Sequence, residues 1–296
     1  MAWDVIIVGG GPAGLSAALM LGRCRRSVIV IDAGEQRNAR ARAIHGFLSR
    51  DGIPPLELLR IGREELTPYG VEFRRAEAVD ASPAPDGGFT VELRDGSKLR
   101  SRAILLATGV VDELPDLPGI GEFYGSSVHH CPYCDGWEAR DLPIAVHGGA
   151  GLAISMKTWS GDVVLCTDGR MRLDPVQQRQ LARAGIPVIT SEIARLEGSA
   201  GQLERIVFRD GELLPRRKMF FAGQQFQRSR LAEKLGCRFN KKGTVRTDIR
   251  QASGVPGVWV AGDAAKDVQF VIVAAAEGAK AGMAINMWFQ RMERGE

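Results

Sequence analysis

Two cysteines three positions apart, Cys131 and Cys134, are the residues of this chain best suited to chemistry. They stand in the run His129-His130-Cys131-Pro132-Tyr133-Cys134-Asp135-Gly136. A C-x-x-C pair can close a small disulfide ring, and its thiolate is more acidic than that of an ordinary cysteine when a positive neighbour or a helix N-terminus stabilises it. The same spacing also fits half of a zinc site. Zinc would need two more ligands, and the sequence offers no second C-x-x-C and no His-x3-His; His129 and His130 could complete a site only with strained local geometry. A redox pair is the better reading, and no metal is expected. Cys24, Cys166 and Cys237 are isolated and read as small core residues. His130 and His45 are acid–base candidates, with a structural loop histidine as the alternative for each.

A second signal lies at the start of the chain, where Gly9-x-Gly11-x-x-Gly14 is filled by Pro12 and Ala13 in its last gap. The three glycines do different things. Gly9 makes a tight turn, Gly11 lets the backbone approach a pyrophosphate, and Gly14 lets a helix pack on the sheet. The helix start offers free N–H groups and a partial positive charge to phosphates. Asp32 closes the next strand 23 residues after Gly9, where a carboxylate can accept ribose hydroxyls. Strand, turn, helix and acid together read as a dinucleotide site.

These residues need elements to hold them. Residues 4–8 read as a buried strand, 15–25 as a helix and 27–31 as the next strand. After a loop rich in Gly and Pro, a helix is expected at 56–66 and strands at 71–80, 87–93 and 99–107, with Asp95-Gly96 as a hairpin turn. Pro and Gly density at 111–121 marks a domain crossing. A second unit then repeats the first motif about 138 residues on: strand 143–146, glycine turn 147–151, helix 152–159, strand 162–166. A helix at 175–184 and strands at 187–190 and 203–208 follow. The run Val258-Trp259-Val260-Ala261 leads into Gly262-Asp263, and a helix spans 271–293 with a small-residue first half that suggests close packing.

Composition sets the outer bounds. The chain has 296 residues, 45% hydrophobic and 25% charged, which excludes disorder and leaves room for two cores. Glycine is high, 36 residues, as nucleotide-binding turns require. The net charge of +4 is mild and the positives are scattered. The densest spots, 37–42 and 216–218, read as solvated faces or loops, so nucleic acid is not an expected partner. The longest apolar runs, 2–8 and 103–107, are strand-length, so no membrane span is expected. The start lacks a basic leader segment, and five sparse cysteines do not suit a secreted disulfide framework. A cytoplasmic setting is therefore expected.

With Ala107-Thr108-Gly109 after a hydrophobic strand and the late Gly262-Asp263, the sequence resembles the flavoprotein disulfide reductases, and over almost its whole length the low-molecular-weight thioredoxin reductases. The resemblance implies an α/β fold of two Rossmann-like, three-layer nucleotide-binding domains, the second inserted in the first. Residues 1–114 and 238–296 would bind FAD, and 115–237 would be the NAD(P)-binding-like domain carrying the C-x-x-C. It implies FAD contacts from Gly9, Gly11, Pro12, Ala13, Gly14, Asp32, Thr108, Gly109, Gly262 and Asp263, with Asp263 on the ribityl chain and Gln269 and Phe270 in the flavin environment. Cys134 would face the flavin, Cys131 would exchange with the substrate disulfide, and Asp135 would protonate the leaving thiolate. A domain rotation and a homodimer are also implied, with a thioredoxin-like protein or a small-molecule disulfide or dithiol as partner.

The chain departs from that pattern at the second glycine turn, His147-Gly148-Gly149-Ala150-Gly151-Leu152-Ala153. A methyl at Ala150 stands where the family has a close-approach glycine. After the following strand comes Thr167-Asp168-Gly169 rather than an adjacent Arg pair. Asp168 would repel a 2′-phosphate, and Arg170 and Arg172 only partly compensate. These features argue against NADPH, leave NADH open, and admit ferredoxin as electron donor. Around Arg37-Asn38, His45-Gly46-Phe47 and Asp51-Gly52 the sequence is also similar to FAD-dependent dithiol oxidases of disulfide natural products, which pass electrons to oxygen. Asp135 directly after the second cysteine favours the reductase side of that choice.

Overall fold

The computed structural model describes residues 2–266 and 268–296. The chain begins with strand β1 (Trp3–Val8), helix α1 (Pro12–Arg23), β2 (Val28–Asp32), α2 (Pro55–Glu64), β3 (Glu72–Arg75), β4 (Ala78–Pro83), β5 (Phe89–Leu93), β6 (Lys98–Leu106) and β7 (Val110–Asp112). It continues with α3 (Ile120–Phe123), β8 (Val128–His129), α4 (Pro132–Asp135), β9 (Ile144–His147), α5 (Ala150–Met156), β10 (Val163–Cys166), α6 (Pro175–Arg183) and β11 (Val188–Ile189). Then come β12 (Ile193–Ser199), β13 (Gln202–Phe208), β14 (Leu213–Pro215), β15 (Lys218–Phe221), β16 (Gln225–Gln227), α7 (Leu231–Lys234), β17 (Val258–Val260) and α8 (Val271–Glu293).

Two compact units divide the chain. The first comprises 1–39, 47–111 and 225–296, the second 40–46 and 112–224. The sequence suggests a return crossing at 237/238. It falls earlier because Leu231, Ala232, Leu235 and Cys237 are buried against Ile6, Ile29 and Val258 of the first unit. The short segment 40–46 joins the second unit, where Arg40 donates to the Gly121 carbonyl.

In the first unit a sheet runs β3-β2-β1-β6-β5-β4, with β17 also on β6. Strands β1, β2, β3, β6 and β17 are parallel; β4 and β5 are an antiparallel extension. Continuous apolar runs such as Val5-Ile6-Ile7-Val8 suit strands covered on both faces. Residues 71–80 form two strands instead of the one expected, because Glu72–Arg75 pairs with β2 whereas the chain from Ala78 pairs with β5. On one face α1 and α8 pack with their backbones nearly touching: a Cβ at Gly278 would lie 1.9 Å from the Ala13 carbonyl oxygen. Only glycine permits that approach, which accounts for the small residues of both helices.

The second unit holds a five-stranded sheet, β11-β10-β9-β15-β8, all parallel. A three-stranded antiparallel sheet, β12-β13-β14, accompanies it. Of that small sheet only β13 is expected from the sequence, since β12 ends in the polar hairpin Gly198-Ser199-Ala200-Gly201 and has little apolar alternation. Two cores flank the larger sheet, one around Phe123, Met219 and Phe221, the other around Ile144, Leu165 and Phe220. Burying each such side chain stabilises the fold by about 1.5–3 kcal/mol before entropy is counted. No helix among the described residues is long and apolar enough to cross a membrane.

Candidate active site

In the second unit Cys131 and Cys134 form a disulfide, with S–S 2.12 Å and Cα–Cα 5.3 Å. The single turn α4 makes this geometry. Cys131 is its extended N-cap residue, Pro132 opens it, and the Cys134 and Asp135 amides donate back to the Cys131 carbonyl. Gly136 closes it where a Cβ would meet the Pro132 carbonyl oxygen at 2.4 Å and the Trp159 ring at 2.7 Å. The chain must therefore pass Trp159 tightly, and this fixes the direction of the turn.

Asp135 ends that turn, and its Oδ1 lies 3.1 Å from His129 Nδ1. His129, on β8, is buried, and its ring lies against Phe220 of the neighbouring β15 with centroids 5.5 Å apart. On its other side Nε2 faces the Lys218 ammonium at 3.4 Å, and that ammonium also donates to the Ser126 carbonyl at 2.8 Å. Burial pushes Lys218 below the usual lysine range, against the opposing pull of Asp135. His130 belongs to a different cluster: Nδ1 is 3.1 Å from the Tyr124 hydroxyl, which donates to Asp112 Oδ2, and Nε2 is 3.9 Å from Asp112. His45 Nε2 is 3.5 Å from Glu138.

The first unit carries the glycine cradle. Gly9 turns at φ +112°, where a Cβ would sit 2.2 Å from the Ala107 carbonyl oxygen, so the Ala107-Thr108-Gly109 segment closes on it. Gly11 is the N-cap of α1 and Pro12 its first residue. A Cβ at Gly11 would meet nothing within 4 Å, leaving open space beside the helix start. A Cβ at Gly14 would strike the Gly9 carbonyl oxygen at 1.9 Å, so the helix lies directly on its own turn. Asp32 is buried; Oδ1 accepts the Gly10 amide at 3.2 Å and Oδ2 accepts Gln36 Nε2 at 3.1 Å. Gly262 follows β17 in a left-handed turn. Arg37 Nη1 donates to Asp263 Oδ2 at 2.9 Å and to Gln269 Oε1 at 2.6 Å, and Gln269 Nε2 donates to Gln225. Phe270 is the N-cap of α8. Glu277, within α8, is buried and accepts the Gly262 amide at 2.9 Å; burial pushes its carboxyl up. An open strand-to-helix turn with a buried acid at the next strand end fits a dinucleotide.

The second glycine turn differs. Gly148 turns at φ +124° after β9, but α5 begins at Ala150, whose side chain is buried among Ile144, Val146 and Phe220. The methyl therefore faces the core and does not stand in the approach path expected from the sequence. Asp168 is 3% exposed; Oδ1 accepts the Ile193 amide at 2.6 Å, while Oδ2 lies 3.8 Å from His147 and 3.5 Å from Arg170. A cavity of about 240 Å³ is lined by His147, Gly148, Thr167, Asp168, Arg170 and the segment 115–117, all of the second unit. Burial pushes the His147 imidazole below its usual range, opposed by Asp168.

Residues 3–278 match the family of the pyridine nucleotide-disulphide oxidoreductases. The chain belongs to that family. A relative named thioredoxin reductase tcpT, from Claviceps purpurea, is 31% identical over 278 residues, which cover 88% of this chain and 86% of that protein. The solved structure of a putative thioredoxin reductase TrxB from Bacillus anthracis has a TM-score of 0.94 at 33% identity, covering 98% of this chain and 99% of that one. The structure of HlmI gives 0.96 at 36% identity, covering 99% and 94%. This is a thioredoxin reductase-like oxidoreductase with two Rossmann-like domains.

The structure of this pyridine nucleotide-disulphide oxidoreductase brings Gly9, Gly11, Pro12, Ala13, Gly14 and Asp32 together around one helix start. It joins Asp263 to Gln269 through Arg37. Of the two histidines beside the cysteines, His129 meets Asp135; His130, the one singled out from the sequence, turns to Tyr124. The segment 37–42 is a loop and 216–217 a bend leading into β15, as one of the two readings had it, but Arg37 and Lys218 are partly buried and bonded inward instead of solvated. Cys166 and Cys237 are buried, the first with its thiol pushed up to about 12, but Cys24 is exposed because it caps the C-terminus of α1. Glu277 carries a single hint in sequence, a lone acid in the Ala-rich stretch of a helix.

Proposed function

We propose that this oxidoreductase moves two electrons between FAD and the Cys131–Cys134 pair, and that the pair exchanges with an external disulfide or dithiol. The substrate is a thioredoxin-like protein or a small molecule. The observation that carries this reading is the Cys131–Cys134 disulfide flanked by Asp135 and the buried His129. The turn at Gly9–Gly14 would hold the pyrophosphate, Asp32 the adenosine ribose, and Asp263, fixed by Arg37, the chain that leads to the flavin ring. Bound FAD would supply a two-electron acceptor and donor for the dithiol. Cys131, at the head of the turn, exchanges with substrate; Cys134 holds the thiolate that results; Asp135 moves the proton. Cytoplasmic work as a homodimer accompanies this reading.

A second direction, oxidation of a dithiol with oxygen or another acceptor, is favoured by one observation. Asp168 presents a buried carboxylate where an NADPH-dependent relative needs cations, and Arg170 is already turned toward it. Reduced ferredoxin is the donor that fits the reductive direction without a pyridine nucleotide.

The test is to purify the protein, measure FAD per chain, and titrate anaerobically with dithiothreitol, NADPH, NADH and reduced ferredoxin at the flavin band. About one FAD per chain and reduction by dithiothreitol are expected, with loss of the latter in Cys131→Ser and Cys134→Ser. A folded, colourless protein that takes up no FAD would end this reading.

A further inference from the structure

The parallel pairing of β8 with β15 sets Met219 opposite Val128 and Phe220 opposite His129. Side chains alternate along a strand, so Lys218 shares the face of Phe220 and hence of His129. This is how its ammonium comes to lie 3.4 Å from His129 Nε2 while donating to the Ser126 carbonyl. His129 is 5% exposed, so water does not compete for its ring. An ammonium has only donors. Nε2 must then accept, and a neutral imidazole that accepts at Nε2 carries its proton on Nδ1. Nδ1 is the atom 3.1 Å from Asp135 Oδ1.

We propose that Lys218 is a positioning residue which fixes His129 in its Nδ1–H tautomer and so holds Asp135 as a proton-accepting carboxylate beside the redox disulfide. This rests on the proposed exchange at Cys131–Cys134 and adds which way Asp135 is set. An N–H directed at Asp135 favours its ionised form, and only that form can accept a proton. When a substrate thiol attacks, its proton passes to Asp135, its sulfur bonds to Cys131 Sγ, and the Sγ–Sγ bond breaks with the electron pair left on Cys134. The charges facing Lys218 are Asp135 and Glu138, which favour the ammonium, and Arg42, which opposes it. Desolvation also opposes it, and the Ser126 carbonyl is a further acceptor fixed on it.

Two measurements test this on the FAD-loaded full chain. In protein labelled with ¹⁵N-histidine, the His129 ring signals are identified by their loss in His129→Gln, and their shifts report the tautomer. Wild type and Lys218→Arg should show a neutral ring with Nδ1–H; Lys218→Met should show imidazolium, because Asp135 still accepts from Nδ1 and no ammonium then opposes a proton on Nε2. The rate of anaerobic flavin reduction by dithiothreitol is then followed against pH. Lys218→Met should slow it about tenfold at neutral pH and displace the acid limb of the profile, with Lys218→Arg restoring both; removing the base itself, Asp135→Asn, should cost about 10²–10⁴-fold. In the Asp135→Asn background Lys218→Met should have no further effect. A wild-type His129 with its proton on Nε2 overturns the proposal, even if Lys218→Met does not fold. An equal slowing by Lys218→Met with and without Asp135 also overturns it. If dithiothreitol does not reduce wild-type flavin at any pH, the function reading falls, while the tautomer still decides the role of Lys218.

Discussion

After β1 the chain turns at Gly9 with φ +112°, and after β9 it turns at Gly148 with φ +124°. Both turns lead into a helix and then a strand, with a buried aspartate at the end of the first strand and two residues past the end of the second. The first helix lies hard on its turn, because Gly14 leaves no Cβ between it and the Gly9 carbonyl. The second has Ala153 at the matching place, where its methyl is fully buried. The first aspartate, Asp32, binds back to its own turn through the Gly10 amide. The second, Asp168, is spent on the Ile193 amide of β12. One motif thus takes two forms: the first copy leaves open space at Gly11 beside its helix start, and the second ties its unit together around a carboxylate.

The largest effect that could break this comparison is at Gly14. Gly14→Ala should lose FAD on purification and lower the melting temperature, since such overpacking costs about 1–3 kcal/mol; Ala153→Gly should cost no more than about 1 kcal/mol and leave FAD in place. Equal FAD content in the two variants, read from absorbance, would mean the turns are not different in kind. Next comes the pair of acids. Asp32→Ala should weaken FAD binding by about 10²-fold or more, given about 1.5–3 kcal/mol for each hydrogen bond to a charged group and 1.4 kcal/mol per tenfold. Asp168→Ala should spare FAD and instead destabilise the protein by about 1–3 kcal/mol in urea unfolding, through the unpaired Ile193 amide.

A smaller effect concerns the electron donor. NADPH should reduce the flavin poorly and NADH no worse, and Asp168→Ala should improve NADPH by about tenfold through removal of one repulsive charge. Micromolar half-saturation by NADPH alone in wild type would restore the second turn as a 2′-phosphate site, with Arg170 and Arg172 as its clamp. The smallest effect is the pH dependence at His147. Its folded value is depressed by burial, so the neutral ring favours the fold. That contribution is present above about pH 6.5, the unfolded value, and is lost as pH falls through the lower folded value. His147→Gln should flatten that part of the stability profile in urea titrations below neutral pH.

Where function depends on short-range spacing, the sequence is readable. The first βαβ turn, the C-x-x-C and the strand–Gly262–Asp263 segment each declare themselves within about thirty residues. Where it depends on pairing between distant strands, it is not. Lys218 reaches His129 only because β15 lies beside β8, across 89 positions, and it hides in a basic triplet that looks solvated. Arg37 meets Asp263 across 226 positions. The adjacent His129 and His130 cannot be told apart by type, since successive residues leave a strand on opposite sides. Ala150 misleads because the sequence does not say that α5 starts one residue earlier on its turn than α1 does, which rotates its methyl into the core.

The contact between α1 and α8 has a consequence for biosynthesis. Residues 12–23 leave the ribosome well before 271–293, yet the backbone of one rests on the other at Ala13 and Gly278. Until the final helix emerges, the nascent first unit has an apolar helix face uncovered and no Gly262 turn beside its cradle, while 112–224, contiguous apart from a short segment made earlier, can already close. The expected order of maturation is therefore inside out: the inserted unit folds during translation, and flavin is captured only after α8 has emerged.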